Sequence, residues 1–260
     1  MVNISKLQDS YFRIKKFINK TPILTSDRMN NEFGGFFYLK NEVDQVTGSF
    51  KIRGALSALS NLKDKNVCGV VAYSSGNHAQ GVSKAAQIFD MHAIIVMPED
   101  APQNKIDKTI ANGAEVVLYK RHIESREEIA KKIADDKQYP LVKPFDNVDI
   151  IAGQGSFGLE ACEYFIQNNI FPDIVLSCTS GGGLVAGTSI AFKHYFPDVQ
   201  IYPVEPLTCN DTEISLKNKT RTRLKTHQNT ICDALEVEIP GEITFPINLC
   251  LLYTSPSPRD

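Results

Sequence analysis

The sequence predicts an α/β protein with two open parallel sheets and helices on both faces. Three observations carry that expectation. From residue 36 onward, short β-rich runs alternate with apolar-periodic stretches of helical spacing. Several of the turns that follow the strands are rich in glycine and serine. Hydrophobic content of 42% against 22% charged in 260 residues is ordinary for a globular chain, enough for one large domain or two modest ones.

Residues 1–20 are amphipathic and mixed in charge, without the apolar stretch of a secretory signal. Strand character at 36–39 is followed by helix over 51–62, strand over 68–73 and helix over 77–89. Strands over 92–97 and 114–118 alternate with helices over 102–112 and 125–136. After Leu141 and Val142 come helix over 151–167, strand over 173–178, helix over 182–194 and strand over 200–205. Such alternation implies right-handed βαβ units, in which ligands gather where strands end and the next loops begin. The expected division is a large domain, 1–65 with 147–248, and a small domain, 66–146. Residues 249–260 are expected outside the fold. Their end, with Pro256, Pro258 and no periodicity, looks like translated sequencing-library adaptor and implies a gene fragment with a non-native tail.

Charge and cysteine usage remove several function classes. Lys and Arg number 28 against 30 Asp and Glu, so no positive excess marks a nucleic-acid or anionic-membrane surface. The densest basic stretch, Lys217 to Lys225, reads as a short solvated loop. No window is apolar enough to span a bilayer. Six cysteines are scattered without a CxxC pair, mostly in apolar surroundings, and read as buried reduced thiols of a cytoplasmic protein.

Four places carry chemistry. Lys51 stands in Gly48-Ser49-Phe50-Lys51-Ile52-Arg53-Gly54-Ala55, at a loop-to-helix junction beside an aromatic ring. A desolvated amine there would have a lowered pKa and could form a Schiff base; an ordinary surface lysine fits the octapeptide equally. Ser74-Ser75-Gly76-Asn77-His78, between strand and helix, offers hydroxyls, an amide and helix N-terminal N–H groups to a carboxylate, or is a plain N-cap with a turn glycine. His78 reads as a structural donor rather than a base. Ser180-Gly181-Gly182-Gly183-Leu184 forms a phosphate cup at another helix start, lacking both the G-x-G-x-x-G spacing and the Walker lysine. A third distinctive loop, Glu205-Pro206-Leu207-Thr208-Cys209-Asn210-Asp211, follows Ile201 to Val204.

A reactive lysine, a phosphate cup and a carboxylate loop together describe a pyridoxal-phosphate (PLP) enzyme acting on an amino acid. The chain resembles the fold-type II PLP family, with its tryptophan-synthase-beta-like fold, and within it the threonine/serine dehydratase and serine racemase group. The resemblance covers roughly residues 5–248. It rests on Ser49 through Ala55, Ser75 through Gly81, Ile151-Ala152-Gly153-Gln154-Gly155 and Ser180 through Leu184, in the family's order and spacing.

The resemblance implies that Lys51 forms the Schiff base with PLP, that Phe50 packs beside the ring and that Asn77 bonds its 3′-hydroxyl. Ser180, Gly181, Gly182, Gly183 and Leu184 would hold the phosphate through backbone N–H groups. Ser74, Ser75, Gly76 and His78 would line the substrate carboxylate pocket. Glu205, Asp211 and the Cys209 carbonyl would match a Mg²⁺ or Ca²⁺ site of racemase-like members. The implied reaction is a threonine/serine ammonia-lyase: Lys51 removes the Cα proton and the β-hydroxyl leaves. Ser75 would serve as a second base on the opposite face, as in serine racemase and 3-hydroxyaspartate ammonia-lyase members. Phe145, where racemase members tend to be polar, favours the lyase. The family continues for roughly another 70 residues, so a truncated chain binding PLP weakly is the non-enzymatic alternative. At full length the family suggests a homo-oligomer.

Overall fold

A computed structural model describes residues 2–121, 123–224 and 230–253. Helix α1, Ile4–Ile14, starts where the Asn3 side chain accepts the Lys6 N–H at 3.0 Å and buries Leu7, Ser10 and Ile14. β1, Ile23–Thr25, leads through α2, Asp27–Phe33, to β2, Tyr38–Lys40. Ser26 caps the start of α2 and Gly34, at φ +68°, ends it in the left-handed conformation. The sequence reading placed a strand at 36–39 but missed β1 and α2, which are only three and seven residues long. The β1–β2 ladder is antiparallel, an addition to the expected parallel architecture.

The expected alternation follows. α3, Lys51–Lys63, precedes β3, Gly69–Tyr73; α4, Asn77–Phe89; β4, His92–Pro98; and α5, Gln103–Ala111. β5, Glu115–Tyr119, and α6, Arg126–Lys137, complete a three-stranded parallel sheet of order β3-β4-β5. Its central strand is buried from Ala93 to Pro98, as expected where helices cover both faces. Leu141 makes an isolated parallel bridge to Val71 beyond that sheet. α7, Val148–Gln167, is followed by β6, Ile174–Cys178; α8, Gly183–Tyr195; and β7, Gln200–Val204, with β6 and β7 parallel. Two further helices follow: α9, Asp211–Asn218, and α10, Thr244–Leu251.

Close helix packing positions the site. α3 lies against α4 and α7, and glycines permit the approach. A Cβ on Gly153 would stand 2.4 Å from the Arg53 carbonyl, and one on Gly187 would stand 2.5 Å from that of Ile151. Apolar side chains fill the rest: Ile52, Leu56 and Leu59 join Val82, Ala86 and Ile95 in one core, while Leu7, Ile151, Val185 and Phe192 build another.

Three expectations need correction or completion. Cys162 and Cys209 are buried, but Cys68, Cys178, Cys232 and Cys250 are exposed; none is joined in a disulfide. Cys178 ends β6, whose outward residues alternate toward solvent, so apolar neighbours in sequence did not imply burial. The basic stretch begins inside α9, where Lys217 pairs with Glu213, and Arg221 then donates to the Pro240 carbonyl at 2.9 Å. The chain from 249 continues α10 to Leu251, and the Tyr253 N–H bonds the Ile201 carbonyl at 2.9 Å. Residues 254–260 lie outside the described residues. No helix among the described residues is long and apolar enough to cross a membrane.

Candidate active site

Lys51 opens α3, directly after Phe50, whose side chain makes no cap hydrogen bond. Its Nζ donates to the Pro144 carbonyl at 2.9 Å and lies 5.2 Å from the centre of the Phe50 ring. A carbonyl and a π face are weak partners for an ammonium. Desolvation therefore goes uncompensated and lowers the Lys51 pKa from 10.5 to about 8. The amine is thus available as a nucleophile or base near neutral pH. Gly81 makes the junction compact: a Cβ there would meet the Lys51 carbonyl carbon at 3.1 Å.

The serine loop sits at the carboxyl end of β3. Ser74 donates its backbone N–H to Val96, and its Oγ accepts from the Gly76 N–H at 3.1 Å, turning the chain into α4. Asn77 is the first residue of α4 and Ser75 is half-buried just before it. His78 is 2% exposed and its Nε2 donates to the Val142 carbonyl at 3.0 Å. Burial, reinforced by the Lys51 charge, pushes it down to about 3, so the ring is neutral. That is the structural donor read from the sequence; only Nδ1 lacks a partner among the described residues.

Lys105 was missed. Its Nζ is 3.1 Å from the position a Cβ on Gly76 would take, so a cation lies across the serine loop. It also pairs with Asp233 at 3.4 Å. In sequence it is one more charge on the first turn of a polar helix, and nothing local marks it.

The glycine loop lies at the carboxyl end of β6, with α8 starting at Gly183. Gly182 has φ +89°, a conformation that glycine adopts without strain. Backbone N–H groups of Gly181, Gly182 and Gly183 donate to no backbone carbonyl among the described residues. The Ser180 Oγ is buried and likewise without a partner. Unspent donors at the start of a 13-residue helix fit the phosphate of PLP. Phe145 connects this loop to the lysine. Its ring fills the space beside Gly181, where a Cβ would clash at 2.3 Å, and the preceding carbonyl of Pro144 holds Lys51.

In the third loop, Glu205 accepts the N–H groups of Thr212 and Glu213 at 3.1 and 3.0 Å, capping α9. Asp211 is fully buried, and neither carboxylate oxygen has a hydrogen-bond partner among the described residues. Burial and the adjacent Glu205 raise Asp211 well above the usual carboxylate range, and burial raises Glu205. Two carboxylates together out of water fit a divalent cation. No group of three or more His, Cys, Asp or Glu side chains is assembled among the described residues. Further oxygen ligands would come from backbone carbonyls, as the resemblance implies for Cys209, from neutral side chains or from water.

The chain is similar to known proteins in sequence and in fold. The chain is 40% identical over 240 residues to the L-threo-3-hydroxyaspartate ammonia-lyase of Saccharomyces cerevisiae, covering 92% of this chain and 72% of that protein. It is 39% identical over 237 residues to the serine racemase of Schizosaccharomyces pombe, covering 90% and 72%. The crystal structure of a T.th. threonine deaminase superposes with a TM-score of 0.90 at 39% identity, covering 97% of this chain and 80% of that one. Residues 14–249 match the profile of the pyridoxal-phosphate dependent enzymes. The chain belongs to that family, and within it to the PLP-dependent ammonia-lyases and racemases of fold type II.

Proposed function

We propose that the protein is a threonine/serine ammonia-lyase, converting L-threonine or L-serine to a 2-oxo acid and ammonia. The observation that carries this reading is Lys51 poised at about 8 on the same Pro144–Phe145 segment that walls the glycine cup. PLP, when bound, supplies the electron sink that makes the Cα proton acidic. Lys51 would hold the cofactor's aldehyde carbon until substrate arrives, then take that proton on its freed amine. Ser180 and the N–H groups from Gly181 to Leu184 would hold the phosphate, and Asn77 the 3′-hydroxyl. Ser74, Ser75, Gly76 and the α4 N-terminus would orient the substrate carboxylate. Loss of the β-hydroxyl as water requires a proton, which the bound phosphate or a group near it could supply. The apolar Phe145 face supports elimination over racemisation, because it offers no polar group to a second proton transfer. Glu205, Asp211 and the Cys209 carbonyl would hold the cation. Six cysteines without a disulfide support a reducing, cytoplasmic setting.

A second reading, 3-hydroxyaspartate ammonia-lyase, is favoured by Lys105. A cation over the serine loop would pair with a second substrate carboxylate that threonine lacks. Rates of 2-oxo acid formation from L-threonine, L-serine and L-threo-3-hydroxyaspartate decide between the two. The first reading expects the largest kcat/KM with L-threonine or L-serine, and little change in it for Lys105→Met. Preference for the diacid, lost by at least about tenfold in Lys105→Met, would establish the second. Accumulation of D-serine faster than pyruvate from L-serine would overturn both.

A further inference from the structure

We infer that Thr244 and Asn248 of α10 are positioning residues for the phosphate cup, acting from behind the glycine loop. The inference rests on the reading of that loop as the phosphate site.

A peptide unit carries its C=O and its N–H on opposite sides. Fixing the carbonyl of one residue therefore fixes where the next residue's N–H points. In this loop, three successive carbonyls are claimed by donors outside it. The Ser180 carbonyl accepts from Thr212 Oγ1 at 3.4 Å. The Gly181 carbonyl accepts from Thr244 Oγ1 at 2.6 Å and from the Gly241 N–H at 3.2 Å. The Gly182 carbonyl accepts from Asn248 Nδ2 at 3.3 Å, beside the Ala186 N–H of its own helix. The N–H groups of Gly181, Gly182 and Gly183 consequently face away from α9 and α10. These are the N–H groups that have no backbone acceptor among the described residues.

Thr244 and Asn248 are spaced one helical turn apart, so both side chains project from one face of α10. Thr244 is 0% exposed and Asn248 is 1% exposed. Their contact with the loop is tight: a Cβ on Gly182 would stand 2.4 Å from Asn248 Nδ2 and 3.1 Å from Thr244 Oγ1. Glycine at φ +89° permits either peptide orientation, so the loop's own sequence does not choose one. Thr244 and Asn248 supply that choice.

The test separates positioning from support of the fold by using a ligand that lacks the phosphate. Affinities of the full chain for PLP and for pyridoxal are compared in wild type, Thr244→Val, Thr244→Ser and Asn248→Ala. Both ligands carry the same ring, and the hemiacetal that pyridoxal forms with its own 5′-hydroxyl weakens it equally in every variant, so a variant-specific change confined to PLP reports the phosphate contacts. Thr244→Val, nearly isosteric, and Asn248→Ala are each expected to weaken PLP by up to about tenfold, the effect of one hydrogen bond. Pyridoxal affinity stays at the wild-type value, Thr244→Ser retains tight PLP binding, and the ³¹P resonance of bound cofactor moves in Val but not in Ser. Equal loss for both ligands, or unchanged PLP affinity in Val and Ala, overturns the positioning role alone. Wild-type affinities that are the same for PLP and pyridoxal overturn the phosphate reading of the loop and the inference with it.

Discussion

Lys51 and Arg53 stand two residues apart on the same helix and meet opposite electrostatics. An interval of two residues turns a side chain about 200° around an α-helix, so the two cations leave α3 on different faces. Lys51 faces a carbonyl and an aromatic ring, and desolvation lowers its pKa to about 8. Arg53 is 0% exposed but enclosed by carboxylates: two contacts to Glu42 at 2.7 and 2.8 Å and two to Glu160 at 2.8 and 2.9 Å. Lys40 shares Glu160 at 2.6 Å, and Ser156 accepts from Arg53 at 3.2 Å. Those partners raise the Arg53 pKa despite burial. Arg53 is fully withdrawn from water and Lys51 partly so; only Arg53 is compensated. The uncompensated cation is the one proposed to react, and the compensated one ties α3 to α7 and to the chain near β2.

The largest effect expected is at the reactive side. Lys51→Ala should reduce turnover on the order of 10⁴-fold and abolish the visible absorbance band of the bound cofactor. A retained band would remove Lys51 from the cofactor site. Next comes the scaffold side. Glu160→Ala leaves Arg53 and Lys40 short of a buried counter-charge and should destabilise the chain by about 3–5 kcal/mol in urea unfolding. A cost below about 1 kcal/mol would mean that the network is not what holds α3 to α7.

The comparison also gives a pH dependence of stability. Lys51 is charged in the unfolded chain up to 10.5 and in the cofactor-free folded protein only up to about 8. Its desolvation penalty is therefore fully present below pH 8 and fades between 8 and 10.5 as the folded state releases its proton first. Cofactor-free Lys51→Met should unfold at a higher temperature than wild type at pH 7, with the advantage shrinking across that window. A constant advantage from pH 7 to 10.5 would show that Lys51 keeps its ordinary pKa.

The reactive side of this contrast was legible in the sequence and the scaffold side was not. Lys51, the serine loop and the glycine loop are contiguous motifs placed by strand–helix alternation, and α4 begins at Asn77 as read. Arg53 belongs to the same octapeptide, yet its partners lie 11 and 107 positions away at Glu42 and Glu160. No local period marks such pairs, because each charge is read as solvated until the fold removes the water. The same holds for Lys105 over Gly76 and for Thr244 and Asn248 behind the glycine cup. Short elements escaped for a different reason: β1 has three residues and α9 begins in a loop read for its acids. Cysteine burial failed because β6 shows alternate residues to solvent, so its apolar run did not signal an interior strand.

His78 supplies the smallest effect and a control on the lysine. It is as buried as Arg53 but escapes the cost of charge by staying neutral, donating Nε2–H to Val142. His78→Leu removes that hydrogen bond and should cost about 1 kcal/mol at pH 7. Because its pKa falls from 6.5 to about 3 on folding, the unfolded chain takes up a proton first as pH drops. Stability from neutral His78 is therefore present above pH 6.5 and lost progressively below it, so the deficit of the Leu variant should shrink and then reverse on acidification. A deficit that stays constant down to pH 5 would place the His78 pKa near its ordinary value and return the ring to the candidates for proton transfer. If the deficit shrinks as expected, His78 stays neutral across the working range and contributes no limb to a pH–rate profile between pH 5 and 8.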